Sequence, residues 1–533
     1  MAVKVTRYRY AGVRWRRMTM GLITAIALAL AGLLAACGGG GGSTGADPGA
    51  IDNEATLRVG YAGAPDTLDP HMAVSEDSSS RFGLWGLYDR LFHIGSDGEV
   101  KGHLVTDWSY EAAGTTLAMK LRQDVVFQDG TPLDAKVVKA NLDRARTLNS
   151  PVVKSRLAMV DDVQATGPFE VTLTLSSPVP SIPAVLAETA GMIMHPDLIA
   201  HGHPATEVNG SGPYQLSSFV PGESLAMERE NSHYWDPEAA KVKRFVFVGI
   251  GDSKAFTNAL LGRQIDIGQY MPNQLADLEG DPNLNTIQID QGKGQDLVLN
   301  WKQSPLDDLL VRQALNYALD RDTITQAFFP KSKPKWQYNR EGLAGHDPSV
   351  GQTYSYDPAK AKSLLASAGH PDGIDLGTIL VSSVSTPGVA EVVQQQLAEA
   401  GISAKLETVD VYGILSRFAK GKDVAALTFV TSGTSPYTGS EYRWLRPSFN
   451  PGGVTPKFQS LMTGANSGAS AEELEAAYRA IDRYVVENAW SVPLSSFGTL
   501  WASDKKVQGL NDKADFAPTH GPVDMRYVSV LKD

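Results

Sequence analysis

Leu121-Arg122 leads through Val126-Phe127-Gln128-Asp129-Gly130-Thr131-Pro132 to Val137-Val138, and this stretch carries the chain from a strand into a helix. Just before it, Leu117, Met119 and Leu121 alternate with small or polar residues, the period of a half-buried strand. Asp129-Gly130-Thr131-Pro132 is turn chemistry, because Gly accepts positive φ and Pro sets the next dihedral in advance of a helix. Val171, Leu173 and Leu175 alternate with threonines and predict another strand of the same kind.

The same mixture extends in both directions. Thr56 to Tyr61 is a short β-prone run. Asp357 can cap a helix that has Pro358 at its first position, Leu364, Leu365 and Ala368 on one face, and Gly369 at its end. Leu315, Tyr317 and Ala318 read as the buried face of a further helix. Ser470 and Glu473 have capping-box spacing, with Leu474, Ala477, Tyr478, Ile481 and Val485 following at helical intervals. From Gly377 an apolar strand, a helix ending before Gly401, a strand from Ile402 to Leu406, another helix and the run Ala425 to Val430 alternate, which is an α/β unit.

The amino-terminal region is of another kind. Lys4, Arg7, Arg9, Arg14, Arg16 and Arg17 precede an uncharged run from Met18 to Ala36, the layout of a secretory signal. A run of this length also reads as a membrane span, but it is rich in Ala and Gly and ends in small residues at Cys37, the only cysteine of the chain. Leu34-Ala35-Ala36-Cys37 resembles a bacterial lipobox. That resemblance implies acylation of Cys37, removal of residues 1–36, and a flexible tether over residues 37–54. Arg16-Arg17 leaves export by the Sec or the twin-arginine route open.

The remaining residues contain no second long apolar run and no cysteine for a disulfide. The 533-residue chain exceeds the size at which single cores stop growing, so two or three units are expected. A net charge of −11, more negative still without the basic leader, argues against nucleic acid as a partner. No phosphate-binding Gly-Lys-Ser loop is present, so an ATP-driven step belongs to another polypeptide. Gly249-Ile250-Gly251 lacks the third glycine of a dinucleotide fingerprint and reads as a turn. No nucleophile elbow surrounds a serine. His195, His201 and His203 lie close together, but no fourth ligand is placed by spacing, so no metal and no cofactor are expected.

Several blocks resemble, in order, the solute-binding proteins of ABC importers of the dipeptide, oligopeptide and nickel class, known as family 5. They are Leu87-Tyr88-Asp89-Arg90-Leu91, the opening stretch above, Gly210-Ser211-Gly212-Pro213-Tyr214, Tyr234-Trp235, Leu261-Gly262-Arg263-Gln264-Ile265-Asp266, Val311-Arg312-Gln313-Ala314-Leu315 with Asp320-Arg321, and Gln394-Gln395-Gln396-Leu397. Most of these positions read as structural, since fold and site chemistry are separate claims. The resemblance implies a two-lobed periplasmic-binding-protein-like α/β fold of the cluster C type. Lobe I would comprise residues 55–82, 210–288 and 495–533, an inserted domain residues 83–209, and lobe II residues 289–494.

It further implies a protein that closes around a solute and presents the closed form to a membrane permease, and through it to a cytoplasmic ATPase. The expected state is an extracytoplasmic monomer tied to the membrane by lipid on Cys37, with no enzymatic activity. In peptide-binding members an acid in an Asp-Pro pair holds the peptide amine. Here Thr431-Ser432-Gly433-Thr434-Ser435-Pro436 has Ser435 in that place, which weakens a free amine as the handle; Glu441 is the nearby substitute. Thr431, Ser432, Gly433, Thr434, Ser435 and Glu441 are therefore candidate ligand contacts. Chain position adds Ser75, Glu76 and Asp77 from lobe I, after Asp66-Thr67-Leu68-Asp69-Pro70, and Trp301, Trp336 and Tyr338 from lobe II, with Asn300 and Arg340 beside them. The ligand expected is a peptide, a metal chelate or another small organic solute. A lipid-anchored surface sensor or adhesin on the same fold is the alternative, and a secreted hydrolase the third reading.

Overall fold

The computed structural model describes residues 49–510 and 524–532, apart from 62–63, 73–77, 96–99, 112–113, 151–152, 180, 230–233, 340, 342–344, 383–384, 387, 410–412, 415–416, 419, 432–442, 446–448 and 467–470. The opening stretch folds as its chemistry dictates. Strand Thr116–Leu121 buries Leu117, Met119 and Leu121. Gly130 takes φ +85°, and the Asp129 carboxylate accepts from the Thr131 amide at 2.9 Å. Asp134 then caps helix Ala135–Thr147 by accepting from the Lys136 and Val137 amides. This strand, with Val105–Tyr110, Val160–Gly167 and Glu170–Leu175, makes a four-stranded antiparallel sheet. Its apolar face and the helix share a core running from Leu91 to Ile193 in sequence.

The main sheet has eleven strands among the described residues. Its order is Ile402–Val409, Ile374–Ser382, Ala425–Thr431, Leu284–Leu299, Ser491–Asp504, Ile267–Tyr270, Thr56–Tyr61, Arg244–Gly249, Ser224–Arg229 and Tyr214–Val220, with Lys333–Pro334 added beside Ser491–Asp504. The two long central strands pair antiparallel from Leu284 with Asp504 to Val298 with Ser491. One half of each serves a core that includes Leu297, Ile379, Leu427 and Val492, and the other half a core that includes Val59, Phe247, Ile267 and Trp501. Every residue of Ser491–Asp504 except Asp504 is buried. Each large apolar side chain fully buried there contributes roughly 1.5–3 kcal/mol, so a charge at Leu500 would break the sheet at its centre.

The capping logic read at Asp357 holds. Its carboxylate accepts from the Lys360 amide at 2.8 Å, the helix spans Pro358–Ser367, and Gly369 leaves it at φ +90°. Strand Ile374–Ser382, helix Val389–Glu399 and strands Ile402–Val409 and Ala425–Thr431 form the expected alternation, with the strands parallel. The further helix expected before Ala425 falls only partly within the described residues. Helix Ala471–Glu487 buries Tyr478, Ile481 and Val485, while Ser470 lies outside them. Tyr317 differs from expectation: its ring is only partly buried, because its hydroxyl reaches out to Thr353 and Lys360. No helix among the described residues is long and apolar enough to cross a membrane.

Candidate functional site

The carboxyl ends of two groups of parallel strands converge on the middle of the two long strands. On one side Thr431, the end of Ala425–Thr431, pairs with Lys293; on the other Tyr270, the end of Ile267–Tyr270, pairs with Leu500. Lys293 itself pairs with Phe497, and the ladder between the long strands is irregular at Asp290/Lys293 and at Gln295/Asp296. Crevices outside the carboxyl ends of such strands are where open α/β sheets bind ligands, and bulges there re-aim side chains.

The polar residues at this crossing are buried. Gln295 and Asp296 have no exposed surface, yet both amide atoms of Gln295 and Oδ2 of Asp296 lack a hydrogen-bond partner among the described residues, as does Oγ of Ser496. The Lys335 ammonium lies 3.4 Å from Asp296 Oδ1, both side chains being buried. It reaches this place over Gly294, where a Cβ would come within 2.9 Å of the Lys335 Nζ and 2.8 Å of the Ser495 carbonyl oxygen.

Lys335 opens a segment that is pinned on both sides. Gln337 donates to the Asp347 carbonyl and accepts from the Asp347 amide at 2.8 Å. Asp482, on helix Ala471–Glu487, accepts from the Asn339 amide at 3.1 Å. Burial pushes the Asp482 carboxyl up to about 7, against the pull of those backbone amides and of Lys335. Trp336, Lys335, Asn339, His346 and Ser496 line a cavity of about 440 Å³. The Asn339 side-chain amide is buried there without a partner among the described residues.

Arg443 is a further buried cation. Its Nη1 donates to the Phe449 carbonyl, its guanidinium lies over the Trp444 ring, and its Nε and Nη2 have no partner among the described residues. Burial lowers its pKa, while Asp296 and Tyr338 act in the other direction.

The candidate residues from sequence fall in different places. Trp336 lies on the cavity wall. Tyr338 is turned into an aromatic core, edge-on to Trp444 with ring centroids 5.6 Å apart. Trp301 stacks on Trp490 at 5.1 Å and donates to Asn450, while Asn300 ties down the loop at Gly421. Asp69 binds Arg144 of helix Ala135–Thr147, so it fastens that helix to the loop after the first strand. Ser75, Glu76, Asp77, Arg340, Ser432, Gly433, Thr434, Ser435, Glu441 and Cys37 lie outside the described residues; of Thr431 only the backbone pairing is described. His195 caps helix Pro196–His201, His201 and His203 are exposed, and no metal-binding cluster occurs among the described residues.

Gln295, Asp296, Lys335, Asn339, Arg443 and Ser496 were not singled out by sequence reasoning. Gln295-Asp296 interrupting the run up to Leu297-Val298-Leu299 was the one local signal, and it does not separate a surface from a buried site.

Residues 99–451 match the family described as bacterial extracellular solute-binding proteins, family 5. The glutathione-binding protein GsiB of Salmonella paratyphi A is 30% identical over 400 residues, covering 72% of this chain and 75% of that protein. The solved ABC transporter substrate-binding protein CtaP of Listeria monocytogenes superposes with a TM-score of 0.78 at 23% identity, over 90% of this chain and 100% of the other. DppA of Helicobacter pylori, in complex with the peptide STSA, gives 0.75 at 22% identity over 90% and 98%. The chain belongs to family 5 of the bacterial extracellular solute-binding proteins. It has their two-lobed α/β fold and is the extracytoplasmic substrate-binding component of an ABC importer, a transport protein and not an enzyme.

Proposed function

We propose that the chain captures a small peptide or peptide-like solute where the two long strands cross, by closure of lobe I (residues 55–82, 210–288, 495–533) against lobe II (residues 289–494), with residues 83–209 as a domain inserted in lobe I. The observation that carries this reading is the set of buried polar atoms at the crossing that the described protein residues do not satisfy: the Gln295 amide, Asp296 Oδ2 and Ser496 Oγ. A buried group left without a hydrogen bond costs roughly 1–3 kcal/mol, and a solute supplies the partners. Ser75, Glu76, Asp77, Trp336, the loop from Thr431 to Ser435 and Glu441 are the further contacts in this reading. Relatives named for glutathione make a tripeptide-sized ligand the first candidate.

Lipid on Cys37 would hold the monomeric protein outside the membrane, close to its permease; release of a Cys37→Ser variant into the soluble fraction is the corresponding result. The solute is tested by native mass spectrometry of the lipid-free protein, followed by denaturing release. A retained peptide or peptide-like compound is expected. A protein that retains nothing, and whose melting temperature neither glutathione nor a di- and tripeptide library raises, would defeat the reading.

A further inference from the structure

Arg443 differs from Arg321 and Arg526, which are also buried, in what its guanidinium does. Arg321 is 2% exposed and spends its donors inside the protein: Nε on the Pro493 carbonyl at 2.7 Å, Nη1 on the Asn316 carbonyl at 2.9 Å and Nη2 on the Asn316 side chain at 2.9 Å. Arg526 turns its Nε and Nη2 edge onto the Asp524 carboxylate. Arg122, nearer the surface, grips Asp124 through the same edge at 2.9 and 2.8 Å. Arg443 is 1% exposed, and this same Nε and Nη2 edge meets no acceptor among the described residues. Two parallel N–H bonds on that edge match the two oxygens of a carboxylate.

The surrounding charges favour the same partner. Asp296 is the anion whose field reaches Arg443, and it is already shared with Lys335 at 3.4 Å and with the field on Arg321. Among the described residues positive charge is therefore in excess around Asp296, and a buried guanidinium left without an anion is costly.

We propose that Arg443 is a specificity-determining residue that receives a carboxylate of the solute through its Nε and Nη2 edge, with Lys335 as the second cation facing the bound anion. The inference rests on the solute-binding reading and narrows it: the solute is recognised by its acid.

The test is calorimetric titration of the lipid-free protein with matched acids and amides: glutathione and simple di- and tripeptides, each against its carboxamide and its N-acetyl form. The expected result is that at least one acid binds, that converting the recognised carboxylate to an amide weakens binding about 10- to 100-fold, and that N-acetylation changes it little. Arg443→Gln should lose affinity for the acid to the same extent and no longer distinguish acid from amide, and Arg443→Lys should recover part of the loss. The acid/amide comparison on the unaltered protein stands even if a variant fails to fold. Equal binding of acid and amide, or unchanged affinity in Arg443→Gln, would overturn the assignment and leave the solute reading intact. Failure of every compound to bind would overturn the solute reading, and this inference with it.

Discussion

Two charged clusters among the described buried residues, one around Asp89 and one around Asp296, differ in how far the protein completes them. Asp89 Oδ1 lies 2.8 Å from both His103 Nε2 and the Tyr234 hydroxyl, and Oδ2 accepts from Ser211 at 3.0 Å and Trp235 at 3.3 Å. Arg526 adds its charge at 3.5 Å. Burial pushes the Asp89 carboxyl up, but these bonds and charges outweigh it and hold it below its ordinary value. Around Asp296, by contrast, one carboxylate oxygen, a whole glutamine amide, a serine hydroxyl and one edge of an arginine lack partners among the described residues. A completed network rigidifies the fold, and an incomplete one at equal burial leaves polar groups for a solute or water to satisfy.

The largest expected effect breaks the completed side. Asp89→Ala strands Arg526, His103, Tyr234, Ser211 and Trp235 and should cost about 3–5 kcal/mol in denaturant unfolding, with the glutathione affinity of the folded fraction unchanged. A loss of affinity at constant stability would dissolve the contrast between the clusters.

Asp482 sharpens the contrast by pH. Its folded carboxyl sits at about 7 against an ordinary 3.8 because it is buried, with Lys335 and Asp347 the charges that act on it. Stability from this group is fully present below 3.8 and is lost as the pH rises toward 7. The difference in unfolding free energy between the unaltered protein and Asp482→Asn should therefore change by up to about 1.4 kcal/mol per pH unit across that window. Asp89, held low, has the opposite sign: its contribution is present above the ordinary carboxylate value and is lost in acid. A flat difference curve for Asp482→Asn would show that its carboxyl titrates normally.

Gly294→Ala is smaller. The added methyl must displace Lys335 or the strand backbone, at roughly 1–3 kcal/mol, and should weaken acid binding as well; a variant with native affinity would separate Lys335 from the site. The smallest stability effect belongs to Arg443→Met, which removes a buried cation with an unsatisfied edge and should leave the unfolding free energy level or slightly raised. A loss of several kcal/mol there would make Arg443 a structural arginine like Arg321.

Local chemistry was legible wherever neighbours in sequence are neighbours in space. The turn at Asp129-Gly130, the cap at Asp357 and the α/β unit read from Gly377 to Val430 needed only short-range hydrogen bonds and periodicity. The site was far less legible. Trp301 and Tyr338 carry the residue types of a binding surface but pack into the aromatic core, because burial of a large ring is decided by what the fold places opposite it.

By itself the sequence determined the α/β class and the ordered family blocks, both carried by periodicity, turn residues and hydrophobic runs. Only the tertiary structure decided that Gln295, Asp296, Lys335, Arg443 and Ser496 share buried surroundings at the crossing. The reason is physical: whether a polar side chain has a partner depends on residues far away in the chain, as Lys335 and Asp296 show, and no local pattern encodes a hydrogen bond that is left unmade.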